Sequence, residues 1–234
     1  VYVRTQGFRQ DGTEVLDYIR WVMVRKRDAA SPAPEPVVPE VPAALAPDTL
    51  GDAAPYLAVD DWDWQLSGNA FRFADYLPGE RIDHVDGMTV EEAEHQTATR
   101  LYQNSAKVHF NQHTEGQGRF GRRLIYGGHV ISLARALSFN GLANAFHVSA
   151  INGGRHVAPL FAGETVYAWS EVIDHAELSG RDDVGALRVR LVGVKNQQPL
   201  EEPLERVVET AGKMRHHPNV VLDLDLWLAM PRRR

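Results

Sequence analysis

The 234-residue sequence contains no cysteine. Without thiols the chain can form neither a disulfide framework nor a cysteine metal site, and it has no cysteine nucleophile. It also lacks any run of about 18–20 apolar residues, the length that a membrane-spanning helix requires. No basic segment followed by an apolar segment opens the sequence as in a secretory signal. We therefore predict a cytoplasmic protein with no membrane partner.

Positive charge is also scarce, since 25 Lys and Arg stand against 31 Asp and Glu, for a formal net charge of −6. Nucleic-acid binding needs clustered basic side chains that neutralise phosphates. The three arginines at 232–234 form too short a cluster, so we expect no nucleic-acid partner. The hydrophobic content of 44% is that of a soluble globular protein with a sizeable core.

The chain reads as three parts. Residues 1–27 predict a hairpin, with strands at 1–5 and 15–24 and a turn signal at Asp11-Gly12. Residues 28–61 form a linker rich in Ala and Pro, and proline excludes a helix interior or a central strand there. The globular pattern resumes at Trp62 and continues to residue 234 as one complete domain.

A short match joins the two ends. Val15-Leu16-Asp17 and Trp21 recur as Val221-Leu222-Asp223 and Trp227, at a constant offset of 206. The match is either an internal repeat or a coincidence of four identities. If it is a repeat, residues 1–27 are the C-terminal hairpin of a first copy that lies mostly upstream.

Several elements are predicted within the third part. A strand is expected at 81–85, and Thr89 followed by Glu92 matches a capping box that would open a helix over about 90–102. The segment 195–219 is predicted to be partly helical or looped. The further strand-like runs are 146–151, 165–176, 186–194 and 220–229.

Residues 99–141 hold the candidate chemical centre. From Val130 to Phe139 the helix pattern is apolar around nearly its whole circumference, which predicts a helix enclosed by other structure. Gly127-Gly128 precede this helix, where free backbone N–H groups carry a positive partial charge. The preceding loop carries His109 and His113. Their four-residue spacing would suit a metal on a helix, but the loop character of this segment and the lack of a further ligand argue against a metal site.

Three landmarks carry a family resemblance: residues 75–80 (DYLPGE), 89–94 (TVEEAE) and 156–166 (HVAPLFAGETV). They resemble the MaoC-like dehydratase family, over roughly residues 70–175. The resemblance implies an α+β hotdog fold, an antiparallel sheet wrapped around a buried central helix. Residues 104–109 and 122–137 are most similar to the family members that hydrate mesaconyl-CoA. Those members are tandem double hotdogs, in agreement with the repeat, and the first copy would be only partly present here.

The family's hydratase motif is Asp-x-Asn-Pro-x-His, and it aligns with residues 104–109. His109 occupies the histidine position and is the expected general acid/base, because imidazole titrates near neutrality. Asn104 replaces the aspartate and can orient a water but cannot accept its proton. Glu115, or a carboxylate from the first repeat, would then substitute. The alternative for His109 is a structural, hydrogen-bonded histidine.

The resemblance also implies how the substrate is bound. The glycine matching Gly128 forms the oxyanion site for the thioester oxygen. A free substrate carboxylate would need a cation, and the candidates are Arg119, Arg122 and Arg123, since guanidinium pairs with carboxylate in a bidentate manner. The residues expected to line the pocket around the helix entrance are Tyr126, Gly127 and His129.

The function implied is a hydro-lyase that reversibly hydrates a 2-enoyl-CoA thioester, most specifically mesaconyl-CoA to 3-methylmalyl-CoA. Coenzyme A would enter as part of the substrate, with no metal or other cofactor, and a homodimer is expected. Three alternatives stay open: a general (R)-specific enoyl-CoA hydratase, a hotdog thioesterase, and a non-catalytic acyl-CoA-binding domain.

Overall fold

A computed structural model describes residues 1–24, 26–51, 58–201 and 203–232. The chain divides into two compact units, Val1–Ala43 and Ala44–Arg234. In the first unit, β1 (Tyr2–Phe8) and β2 (Glu14–Trp21) form an antiparallel hairpin. Gly12 supplies the left-handed residue of the turn, with φ of +84°. The hairpin predicted here is therefore confirmed.

A five-stranded antiparallel sheet forms the second unit, with strand order β3-β5-β6-β9-β4. All four predicted strand runs and the shorter strand at 81–85 are confirmed, and each extends beyond its predicted bounds. The strands are β3 (Arg81–Thr89), β4 (His147–His156), β5 (Thr165–Glu177), β6 (Val184–Lys195) and β9 (Val220–Pro231). Every residue of β9 is buried, and this strand pairs with β6 on one side and with β4 on the other.

The long helix packs on this sheet. It is α3 (Gly127–Leu137), and its buried apolar residues recur at helical spacing: Val130, Leu133, Ala134 and Leu137. Ala134 lies opposite Gly193 of β6, and a Cβ placed on Gly193 would be 3.8 Å from the Cβ of Ala134. These two small residues let the helix lie close to the sheet. Ser132 and Ala136 are exposed in this chain. An antiparallel sheet against one central helix is the predicted α+β arrangement.

A buried histidine fixes the exit of α3. Within the short α4 (Phe139–Leu142), which follows α3, Asn140 and Gly141 have non-helical dihedral angles, and Gly141 has φ of +103°. His84 of β3 is fully buried; its Nδ1 lies 2.5 Å from the Asn140 carbonyl oxygen, and its Nε2 lies 2.9 Å from Ser170 Oγ. The helix end is thereby tied to two strands of the sheet.

The helix preceding the candidate loop, α1 (Glu92–Leu101), is confirmed, but its predicted capping box is wrong. Glu91 is the N-cap residue, and its side chain makes no capping hydrogen bond. Thr89 instead ends β3, where its hydroxyl lies 2.8 Å from the hydroxyl of Thr165 on β5. Thr89 therefore belongs to the strand pair β3–β5 and does not cap α1.

The prediction that 195–219 is partly helical or looped is confirmed for its loops and wrong for a helix. Within the described residues of this segment the structure has a hairpin, β7 (Val207–Thr210) paired with β8 (Lys213–His216), and no helix. Its turn contains Ala211 with φ of +52° followed by Gly212 with φ of +73°.

The segment entering the second unit packs against the sheet. Leu45 donates its N–H to Asn152 Oδ1 at 3.0 Å and accepts from Trp227 Nε1 at 3.1 Å. Leu50 is buried in the same cluster as Trp227 and Ala229. Among the described residues, no helix has the length and hydropathy needed to cross a membrane.

Candidate active site

The candidate site lies between α1 and the start of α3, in the loop 102–126. This loop contains a 3-10 turn, Lys107–His109, and one short helix, α2 (Gln112–Glu115). Three hydrogen bonds hold His109. Its N–H donates to the Ala106 carbonyl at 3.1 Å, its carbonyl accepts from Gln96 Nε2 at 3.1 Å, and its Nδ1 lies 3.1 Å from the Leu124 carbonyl oxygen. Because a carbonyl can only accept, Nδ1 carries the proton and Nε2 keeps a free lone pair.

The electrostatics of His109 favour the same neutral form. Partial burial lowers its pKa, while the hydrogen bond to the Leu124 carbonyl and the negative charge of Glu115 oppose this effect. The imidazole is therefore neutral near pH 7 and able to accept a proton. Glu115, the carboxylate suggested as a substitute for the family aspartate, acts on His109 through its charge.

Asn104 is engaged in local backbone structure. Its side-chain oxygen accepts the N–H of Ala106 at 2.8 Å, and its own N–H donates to the carbonyl of Thr99 at 2.9 Å. The first of these bonds is an Asx turn, which shapes the entry into the Lys107–His109 turn. Because its side-chain oxygen is used in this turn, Asn104 shapes the loop that presents His109.

Gly127 is the first residue of α3 and Tyr126 is its N-cap residue. The Tyr126 ring folds over Gly128, because a Cβ placed on Gly128 would lie 2.6 Å from Tyr126 Cε1. The same ring lies edge-on to His109, with 5.5 Å between the ring centroids. His109, Tyr126 and the first turn of α3 are therefore brought together by the fold.

His95 was not identified from the sequence and lies at the centre of this cluster. It is 2% exposed, and its Nε2 accepts the N–H of Tyr126 at 2.8 Å. Its ring is edge-on to His109, at 6.5 Å between centroids. Burial first, and then the neighbouring His129 and His109, lower the pKa of His95 to about 4. His95 is thus a neutral acceptor that fixes the residue before α3.

His129 is directed towards α1. It is 6% exposed, and its Nε2 lies 3.5 Å from the carboxylate of Glu94. Burial lowers the pKa of His129, and the charge of Glu94 opposes that effect. The pair links the first turn of α3 to the first turn of α1.

The three candidate arginines have different surroundings. Arg123 is largely covered and pairs with Glu92 at 3.1 Å. Arg122 is exposed and places its guanidinium 3.9 Å from the centroid of the Phe161 ring. Arg119 is also exposed, and its guanidinium lies 5.1 Å from the Phe120 ring centroid.

His113 is exposed in α2 and does not join the other histidines. In the part of the chain that the structure describes, no group of three or more His, Asp or Glu residues is arranged to hold a metal ion.

Comparison with known proteins places this geometry in context. No family model matches the chain. It is 53% identical, over 234 residues, to the beta-methylmalyl-CoA dehydratase of Chloroflexus aurantiacus. It is 54% identical, over 233 residues, to the mesaconyl-CoA hydratase of Cereibacter sphaeroides. The matches cover 100% and 99% of this chain, and the chain spans 64% of the length of each relative.

Solved structures give the fold. A crystal structure described as a MaoC domain protein dehydratase from Chloroflexus aurantiacus superposes with a TM-score of 0.90 at 52% identity, covering 100% of this chain and 65% of that one. A double-hotdog protein from Mycobacterium tuberculosis superposes with a TM-score of 0.56 at 21% identity, covering 98% of this chain and 61% of that one. The hotdog fold expected from the sequence is confirmed.

Proposed function

The chain belongs to the MaoC-like dehydratase family of hotdog proteins, and from that premise we propose that it carries the active site of a hydro-lyase. The reaction is the reversible hydration of a 2-enoyl-CoA thioester, most specifically of mesaconyl-CoA to 3-methylmalyl-CoA. The observation that carries the proposal is the hydrogen bond between Nδ1 and the Leu124 carbonyl oxygen, which assigns the single proton of neutral His109 to Nδ1. Its basic Nε2 is left available beside the first turn of α3.

The helix start supplies the electrophilic half of the site. The backbone N–H groups of Gly127 and Gly128 belong to the first turn, where α-helical N–H groups have no partner within the helix. They stabilise the thioester oxygen as it gains negative charge, and the positive end of the helix dipole adds to this effect. Tyr126, fixed by its bond to His95, sets the entry angle of these donors.

The neutral His109 supplies the base. Nε2 removes a proton from water, the water oxygen bonds to the β-carbon, and the electron pair of the double bond moves to the thioester oxygen. Addition is completed when a proton reaches the α-carbon and the carbonyl reforms. Asn104 contributes by shaping the turn that presents His109.

Mesaconyl-CoA carries a carboxylate beyond its double bond, and this group needs a cation. Arg122 and Arg119 are exposed, whereas Arg123 is paired with Glu92. Arg122 beside Phe161 is the better-placed candidate, because the ring holds its planar guanidinium in one orientation. Tyr126 and Gly127 border the start of α3, whereas the buried His129 is directed at Glu94. Coenzyme A is bound as part of the substrate.

Replacement of His109 by alanine tests the proposal. We expect hydration of mesaconyl-CoA, followed as loss of the enoyl-thioester absorbance, to fall by about 10²–10⁴-fold, the usual contribution of a general base. The matched control is His113→Ala, four residues away and exposed, which should retain wild-type turnover. Full activity in the His109→Ala variant would contradict the assignment.

The same assay separates the other functions. Faster turnover of crotonyl-CoA than of mesaconyl-CoA would indicate a general (R)-specific hydratase. Release of free coenzyme A thiol would indicate a thioesterase, and binding without an absorbance change would indicate an acyl-CoA-binding domain. The homodimer and the cytoplasmic location remain predictions, the first of which sedimentation of the purified protein will test.

A further inference from the structure

His156 stands at the start of α3, although neither the motif nor the proposed mechanism uses it. It is the last residue of β4, paired in register with Leu222 of β9. A Cβ placed on Gly127 would lie 2.5 Å from Nε2 of His156 and 2.9 Å from its Cε1. The imidazole therefore packs directly on the first residue of α3, and only glycine leaves room for it there.

The surroundings of His156 are those of a group open to a ligand. Its side chain is exposed, and within the described residues no hydrogen bond engages its ring or the Nε2 of His109. Partial desolvation and then the charge of His109 lower the pKa of His156, so the two imidazoles are close enough to influence one another. A proton on one ring disfavours a proton on the other.

Hydration moves two protons, one away from water and one onto the α-carbon. The family motif provides an aspartate beside the histidine for these transfers, and this chain has Asn104 in its place. Asn104 cannot transfer a proton and uses its oxygen in a turn. Glu94 is directed at His129. Building on the proposed function, we propose that His156 is a second catalytic residue, which transfers the proton to the α-carbon while His109 acts on water.

The order of atoms in the substrate supports this division. With the thioester oxygen at the first turn of α3, the α-carbon lies one bond from the carbonyl carbon and the β-carbon two bonds away. His156 packs on Gly127 itself, whereas His109 is held by Leu124 and lies across the Tyr126 ring. The imidazole that packs on the first residue of α3 is accordingly assigned to the carbon next to the thioester.

Neutral His109 takes a proton from water, the water oxygen bonds to the β-carbon, and the double-bond electrons pass to the thioester oxygen. His156 in its protonated form, which its lowered pKa makes the minor form near neutral pH, gives its proton to the α-carbon, and the enolate electrons form the new C–H bond as the carbonyl returns. His109 ends protonated and His156 neutral, and exchange with solvent resets both. The reverse sequence dehydrates the product.

Exchange of the α-proton with D₂O distinguishes the two histidines. Purified wild type, His156→Gln and His109→Gln are incubated with 3-methylmalyl-CoA in D₂O, and both deuterium at the α-carbon and mesaconyl-CoA are measured by mass spectrometry. We expect both variants to lose dehydration by about 10²-fold or more. His109→Gln should still exchange the α-proton, whereas His156→Gln should not.

The control is His147→Gln, a partly covered histidine at the opposite end of β4, which should behave as wild type. Circular dichroism and thermal melts of each variant exclude unfolding as the cause of a loss. Near wild-type dehydration or retained exchange in folded His156→Gln overturns the proposal, and so does loss of exchange in both variants alike. If the wild-type protein neither hydrates an enoyl-CoA nor dehydrates 3-methylmalyl-CoA, both the proposed function and this inference fail. If wild type and His156→Gln dehydrate 3-methylmalyl-CoA equally well, the proposed function stands and only the role of His156 fails.

Discussion

Acid should destabilise this fold through His84, the buried histidine at the exit of α3. Burial lowers its pKa from 6.5 to about 4; the Asn140 carbonyl and Asp83 oppose the change, and Arg135 adds to it. Above pH 6.5 the side chain is neutral in both the folded and the unfolded chain. As the pH falls from 6.5 to about 4, only the unfolded chain binds the proton, so the free energy of unfolding decreases.

The size of this effect follows from the difference in pKa. A fall from 6.5 to about 4, at ~1.4 kcal/mol for each pH unit, corresponds to a loss of about 3 kcal/mol. Below about pH 4 both states are protonated and His84 contributes no further loss. This loss is a large share of the ~5–15 kcal/mol by which folded domains are usually stable.

The His84→Asn variant isolates this contribution. Asparagine keeps a donor near the Asn140 carbonyl but cannot be protonated, and it loses the contact with Ser170. At neutral pH we expect the variant to be about 1–3 kcal/mol less stable than wild type, because a buried hydrogen bond and some packing are lost. Between pH 6.5 and 4 its stability should fall by about 3 kcal/mol less than that of wild type.

Urea unfolding followed by tryptophan fluorescence, at about pH 7, 6, 5 and 4, measures these free energies. The matched control is His113→Asn, since His113 is exposed and should leave the pH dependence of wild type unchanged. If His84→Asn loses as much stability on acidification as wild type does, burial does not keep His84 neutral and the reasoning fails.

Two further changes test the entrance of α3. His95→Leu removes the acceptor of the Tyr126 N–H and should lower the free energy of unfolding, measured in urea, by about 1–3 kcal/mol. His95→Gln can offer an amide oxygen as acceptor and should lower this free energy by less. Equal losses in the two variants would argue against the hydrogen bond. Gly128→Ala should reduce the kcat of hydration by displacing the Tyr126 ring, while Gly153→Ala, with open space around its Cβ position, should not. Unchanged kcat in Gly128→Ala would show that the helix start tolerates a side chain.

The main elements of the second unit could be predicted because their patterns are strong. The apolar-rich run at 220–229 predicted the strand β9, and Gly127-Gly128 predicted the start of α3. The β7–β8 hairpin was not predicted, because its turn has Ala211 in a left-handed conformation before Gly212. The usual sequence signal for such a turn is Asn or Asp before Gly. The capping box failed because Thr89 is taken up by strand pairing.

The site was only partly predictable for a related reason. His109 and Gly128 stand at motif positions, so a sequence pattern selects them, and their roles remain proposals. His95 lies inside a helix whose periodicity does not show that its imidazole turns towards Tyr126. His156 comes from a strand distant in sequence, and its placement on Gly127 depends on the pairing of β4 with β9. Proximity of this kind is created by tertiary packing alone.

The position of β9 in the sheet sets the order in which the chain can fold. Both β4 (His147–His156) and β6 (Val184–Lys195) pair with β9 (Val220–Pro231), which follows them in sequence. During synthesis, β4 must therefore wait for more than sixty further residues before its partner leaves the ribosome. Unpaired strand edges recruit other chains, and sheets closed by distant segments fold slowly. The nascent chain is accordingly most exposed to aggregation, and most dependent on chaperones, in the interval before β9 is inserted.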